Sequence, residues 1–241
     1  MKTRFFANRQ DKTEHRQRPT VTRRCSQQPQ LDSTTGPETV KKPVEQDDLV
    51  ALRRQSRAYA ERGQYKEAIE ILTGLICRYP ASAVDYSNRG LMYFQSGELD
   101  RARADYTKAI QLNPQLASAY NNLANYYAAR GDLAAAMLNY DRAIDLNPAH
   151  VRAWLNRGIT LRELGLYERA IDNFDFAEKL GSLKGHIWAE RGRTYHLMGE
   201  WNCAVADYQR AKIQLREATA DPGSLERLET WLSDLFKPLS A

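Results

Sequence analysis

From Leu49 to Glu217 the apolar residues recur at steps of three and four, in short stripes that alternate with polar turns. Residues 117–150 show the pattern clearly. Ala119, Tyr120, Leu123, Tyr126 and Tyr127 lie along one face of a first predicted helix. Arg130-Gly131-Asp132 makes a turn, with a Gly that tolerates the left-handed conformation beyond a helix end. Leu133, Ala136, Met137, Tyr140, Ala143 and Ile144 form a second stripe. Asn147-Pro148 ends it, because Pro disfavours helical geometry in the residue before it. The reading is a pair of antiparallel helices, and no segment makes a convincing strand.

The pair repeats every 34 residues. Two copies, 83–116 and 117–150, adjoin without a gap, and each carries a Leu-Asn-Pro tripeptide (112–114 and 146–148). The same step links Gly63, Gly97, Gly131, Gly165 and Gly199. It also links Ala68, Ala102, Ala136, Ala170 and Ala204, then Leu72, Tyr106, Tyr140, Phe174 and Tyr208, and Leu52, Tyr86, Tyr120, Trp154 and Trp188. One helix pair cannot bury its own stripe, so a fixed period of this length predicts a solenoid of stacked copies with capped ends. Leu225, Leu228, Leu232 and Leu235, beside Trp231 and Phe236, predict one more amphipathic helix between Asp221-Pro222 and Lys237-Pro238. It reads as a cap on the fifth copy; the alternative is a docking helix for another subunit. The expected division is a disordered basic tail over 1–46, five repeats over 47–218 and a capping helix over 219–241. Gln, Arg, Thr and Pro dominate the tail, which has too little apolar surface to offset ordering.

The net charge of +5 comes largely from residues 1–47, which hold 10 basic and 6 acidic residues. The repeats are therefore close to neutral, and a DNA-binding groove is not expected. No apolar run is long enough to span a membrane. The Arg-rich start lacks the apolar core of a secretory signal. A cytoplasmic protein is expected, with organelle import through the Arg-rich start as the alternative. Cys25, Cys77 and Cys203 share no metal or redox spacing, which suits a reducing compartment. Cys77 and Cys203 fall within predicted helices, where a buried thiol packs as a small hydrophobe.

Catalytic chemistry finds no support. His15, His150, His186 and His196 offer no two-ligand helix face; the last two stand ten residues apart. No Gly-rich phosphate loop follows a strand, and no nucleophile, base and acid group together. Neither enzyme activity, a metal nor a cofactor is expected.

The 34-residue unit resembles the tetratricopeptide repeat family. In the copy beginning at Val151 the residues that carry the likeness are Trp154, Gly158, Leu161, Ala170, Phe174 and Ala177. The first copy departs with Ser56 where the small residue is usually Gly, and the last two lack the closing Pro. The resemblance implies an all-α, right-handed superhelical solenoid of five helix pairs plus the C-terminal capping helix. It also implies that the first helices line a concave groove. Projected onto this chain, the sixth position of each repeat gives Arg54, Asn88, Asn122, Asn156 and Glu190. An Asn side chain carries donors and an acceptor, so such a ladder can pair with a peptide backbone in both senses. The same projection places Asn121 and Asn125 in the third repeat, Arg53, Arg54 and Arg57 in the first, Arg152 and Arg162 in the fourth, and Arg193 in the fifth. Glu61, Glu163 and Glu190 oppose these Arg. The cationic excess favours a partner with acidic character.

The expected function is a non-catalytic adaptor or assembly scaffold that binds an extended or helical partner segment in the groove. The alternative is an assembly factor or co-chaperone for a multisubunit or membrane complex, including photosynthetic ones in some lineages. Chaperone-tail binders carry a clamp of Lys, Asn, Asn, Lys and Arg. The nearest window here, Ser87, Leu91, Asn122, Arg152 and Asn156, meets it only at Asn122 and Arg152, so a standard co-chaperone role is not implied. RNA binding through the basic tail and Arg53, Arg54 and Arg57 is the rival class. The sequence leaves the oligomeric state open.

Overall fold

The computed structural model describes residues 46–217 and 222–235. The expected tail, with its Arg residues, Cys25 and His15, lies outside the described residues, as do Asp221, Phe236 and Lys237-Pro238. Among the described residues eleven helices follow one another: α1 (Gln46–Glu61), α2 (Tyr65–Arg78), α3 (Ala83–Gln95), α4 (Leu99–Leu112), α5 (Ala117–Ala129), α6 (Leu133–Leu146), α7 (Val151–Glu163), α8 (Tyr167–Lys179), α9 (Lys184–Met198), α10 (Trp201–Glu217) and α11 (Pro222–Leu235). They form the expected all-α, right-handed solenoid of five helix pairs with a C-terminal capping helix.

The repeat boundaries follow from local chemistry. Each turn inside a pair has its Gly at φ between 73° and 85°, a region that an L side chain enters only at a cost. There the residue after the Gly donates its N–H five residues back, as Glu98 does to Tyr93 (2.8 Å) and Asp132 to Tyr127 (3.0 Å), closing a Schellman motif. Between pairs, Asn113 and Asn147 adopt extended backbone ahead of Pro. Their Oδ1 atoms accept the N–H of Gln115 (3.0 Å) and Ala149 (3.1 Å), which turns the chain into the next first helix. The fourth junction lacks this device. There Gly181 and Leu183 take positive φ (86° and 59°), and Leu183 packs against the fourth repeat's core.

Each second helix lays a large side chain against the first helix of its pair. A Cβ on Gly90 would stand 2.7 Å from the Tyr106 ring, one on Gly158 2.6 Å from Phe174, and one on Gly192 2.8 Å from Tyr208. These rings are fully buried. The first repeat has Leu72 in place of the ring and takes Ser56 opposite it; the third places Ala124 beside Tyr140.

Ion pairs add a polar spine. Arg89 forks onto Asp105 (2.7 and 2.8 Å), and Arg191 forks onto Asp207 while reaching Asp175 and Glu178. Cys77 and Cys203 lie within helices as expected but are exposed, not packed in the core. The 34-residue ladder puts each of them on the outer helix of its pair, where the stripe is already complete.

First helices of successive repeats touch: α3 with α5, α5 with α7, and α7 with α9. Successive second helices make no comparable contact. A stack whose members touch along one side only curves towards that side, so the first helices form the concave wall. The capping helix α11 packs on α10 and α9, the same pair of contacts that α5 makes with α4 and α3. It thus occupies the place of a sixth first helix. Leu228 is fully buried against the fifth repeat, with Leu225, Trp231, Leu232 and Leu235 around it. Glu226, Arg227, Glu229, Thr230, Ser233 and Asp234 are exposed, which ends the apolar stack.

Candidate functional site

The concave wall is built from side chains that recur at fixed steps on α1, α3, α5, α7 and α9. Its middle is a hydrogen-bonded track of amides. Asn122 Nδ2 donates to Ser87 Oγ across the α3–α5 boundary (3.3 Å). Asn121 Nδ2 donates to Asn122 Oδ1 (3.3 Å). Asn156 Nδ2 donates to Asn121 Oδ1 (3.3 Å) and to Asn125 Oδ1 (3.0 Å) across the α5–α7 boundary. The Tyr140 hydroxyl, from α6, donates to Asn125 Oδ1 (2.7 Å). Burial raises the Tyr140 phenol well above its ordinary value, against a hydrogen bond with Thr160 that lowers it. It therefore keeps its proton, and the donor role, throughout the range where the protein is handled.

The residues expected along the groove divide into three groups. Asn88, Arg54 and Arg152 are exposed on the wall. Asn122, Asn125 and Asn156 are half-buried within the track, and Asn121 is only 3 % exposed, at the bottom of it. The remaining Arg are engaged elsewhere. Arg53 forks onto Asp85 (2.7 and 2.8 Å), tying α1 to α3. Arg57 pairs with Glu61 one turn on (3.1 Å). Arg193 lies 5.8 Å from the centre of the Trp231 ring on α11 and 3.3 Å from His196 Nδ1. Arg162 and Glu190, both 7 % exposed, form a buried pair (2.8 Å) that closes the wall between α7 and α9. The cationic excess of the groove is therefore smaller than the sequence count implies. What stays open is Arg54 and Arg152, with the exposed apolar side chains Val50 and Val84 beside the first two repeats.

Ser87, Asp85, Tyr140 and Trp231 belong to this surface or support it, and sequence reasoning missed them in that role. Asp85 had a signal: it stands in a ladder that otherwise carries Ala51, Ala119, Ala153 and Ile187, and a lone carboxylate among small residues implies a buried partner. Ser87 and Tyr140 had none, because each acts across a repeat boundary or from the second helix.

At the end of the wall, burial and Arg193 lower the His196 imidazole below its ordinary value, and Asp234 on α11 opposes them. Among the described residues, no group of three or more His, Cys, Asp or Glu could hold a metal ion, and no helix is long and apolar enough to cross a membrane.

Three family models match the chain: one described as TPR repeat over residues 90–129, and two described as tetratricopeptide repeat over 121–182 and 50–82. No curated protein matches it at a significant level. Among solved structures it is similar to a thermophilic TPR protein of Thermus thermophilus, at 20% identity and a TM-score of 0.67, covering 76% of this chain and 98% of that one. It is also similar to a chain of the APC/C hetero-tetramer Cut9-Hcn1, at 21% identity and a TM-score of 0.64, covering 72% of this chain and 33% of that one. A third similar structure is MamA, at 20% identity and a TM-score of 0.54, covering 68% of this chain and 96% of that one. Likeness at these identities concerns the fold.

Proposed function

The chain belongs to the tetratricopeptide repeat family, and from that premise we propose that it is a non-catalytic adaptor or assembly scaffold. Its concave wall holds an extended or helical segment of a protein partner. The observation that carries this reading is the continuous row of Asn88, Asn122, Asn125 and Asn156 along neighbouring first helices. Amide groups at that spacing recognise backbone, which every partner has. Specificity then comes from what flanks the row. Arg54 and Arg152 suit carboxylates, and Val50 and Val84 suit an apolar side chain near the first repeats. In this reading residues 47–218 are the binding unit, 219–241 its cap, and the protein acts in the cytoplasm on a multisubunit assembly.

The test is an affinity pull-down from native cell extract. It compares the wild type with the Asn88→Ala, Asn122→Ala, Asn156→Ala triple variant, an Arg54→Ala, Arg152→Ala variant and a chain lacking residues 1–46. The expected result is a protein held by the wild type and by the shortened chain. The triple variant loses it, and the Arg variant weakens it more at low salt than at high salt. A partner retained by the triple variant, or lost only on removing residues 1–46, would overturn the groove reading. Retention that is abolished by ribonuclease would point to the RNA class instead.

A further inference from the structure

Resting on the groove reading above, we propose that Ser87, Asn125 and Tyr140 are positioning residues that give the wall one fixed polarity. An extended partner segment is then bound in one chain direction, from the fourth repeat towards the third.

An Asn amide has two hydrogens on its nitrogen and two lone pairs on its oxygen. Asn156 directs Nδ2 at two acceptors, Asn121 Oδ1 and Asn125 Oδ1, so both hydrogens are engaged. Its Oδ1 is what remains, and Asn156 meets a ligand as an acceptor. Asn125 is the mirror case. Its Oδ1 receives both Tyr140 and Asn156, which fills its lone pairs and leaves Nδ2 as a donor. The two are joined by one 3.0 Å bond, so the free acceptor and the free donor flank the same point on the wall. Ser87 orients Asn122 one repeat earlier by accepting from its Nδ2.

An extended chain turns the N–H and C=O of a single residue to the same side, as in the residue pairs of an antiparallel ladder. The N–H lies on the N-terminal side of that residue. Pairing it with Asn156 on α7, and the C=O with Asn125 on α5, places the N-terminal end of the segment towards the fourth repeat and the C-terminal end towards the third. A ladder of freely rotating amides would accept either direction. The network removes one of them, since a flipped Asn156 would face its oxygen against the two oxygens that now accept from it.

The experiment is nuclear magnetic resonance on the full chain. Without ligand, the Asn156 side-chain hydrogens are expected to exchange several-fold more slowly than those of exposed Asn88, because each is hydrogen-bonded. In Tyr140→Phe that protection falls while the fold is retained. The ligand probe is a capped ten-residue peptide of alternating Glu and Ala, carrying a nitroxide at its N-terminal or its C-terminal end. The N-terminal label is expected to broaden resonances of α7 and α9, and the C-terminal label those of α3. Asn125→Asp keeps the acceptor for Tyr140 and Asn156 but removes the outward donor, and there the two labels give the same pattern. Identical broadening from both labels in the wild type would overturn the inference and leave the groove reading standing. Asn156 hydrogens that exchange as fast as those of Asn88 would overturn it without any ligand. A probe that does not bind at all would overturn the groove reading in its backbone form, and the direction with it.

Discussion

Two mid-helix glycines, Gly74 in α2 and Gly158 in α7, look alike in the sequence and face opposite surroundings. Around Gly74 an added Cβ meets nothing within 4 Å. At Gly158 it would stand 2.6 Å from the Phe174 ring. Replacing Gly by Ala in a helix interior is worth up to about 1 kcal/mol through backbone entropy. Overpacking a close contact costs about 1–3 kcal/mol. Gly74→Ala is therefore expected to raise the midpoint of thermal unfolding by a few degrees, and Gly158→Ala to lower it. Equal shifts of one sign, measured by circular dichroism, would contradict the packing described here. The same contrast of surroundings separates Asn121 from Asn122. The two are adjacent in the chain and about 100° apart on the helix, so one is buried and the other lines the wall.

At the scale of the element, α7 opens on an unusual cap. His150 Nδ1 accepts the N–H of Ala153 (3.2 Å), a role that needs the neutral imidazole. Burial, and then Arg152, hold the imidazole below its ordinary value, against the His150 backbone hydrogen bond that raises it. As pH falls, the unfolded chain takes up this proton first. The stabilisation is complete above the unfolded value of about 6.5 and is lost as pH drops through that value and then through the lower folded one. His196 carries a shift of the same direction. The unfolding midpoint is expected to fall between pH 7.5 and pH 5. His150→Asn keeps a cap acceptor, worth about 1 kcal/mol, and does not titrate, so its midpoint falls less. A pH slope unchanged in His150→Asn would assign the whole effect to other groups. Helix pairs, turns and the period were legible because each follows from a local pattern. The Leu183 junction was not: no single residue there announces positive φ, and its packing against the fourth repeat holds it.

For the whole molecule, α11 decides where the stack ends. It presents Leu228 and its apolar neighbours to Tyr208, Ala211 and Leu215, and polar side chains to solvent. Solenoid stability is close to a sum over repeats and their interfaces. Removing residues 218–241 uncovers the fifth repeat and takes away several buried apolar side chains, each worth roughly 1.5–3 kcal/mol. Amide exchange is expected to quicken strongly in α9 and α10 and little in α3 and α4, with concentration-dependent association through the uncovered face. Unchanged protection in α9 and α10 would show that α11 is an appendage and not a cap.

The sequence by itself determined the element order, the 34-residue register and the capping helix. It also determined which positions carry amides and cations on the first helices. These are properties of a period and of side chains read one helix at a time. Only the tertiary structure decided which of those groups face a ligand. The superhelical stacking brings Ser87 to Asn122, Asn125 to Asn156, Asp85 to Arg53 and Glu190 to Arg162. Every one of these contacts crosses a repeat boundary, and its geometry depends on how far each repeat rotates on the one before it. A hydrogen bond fails within a few tenths of an ångström, whereas an apolar stripe tolerates far more. The core was therefore readable from the pattern, and the polarity of the wall was not.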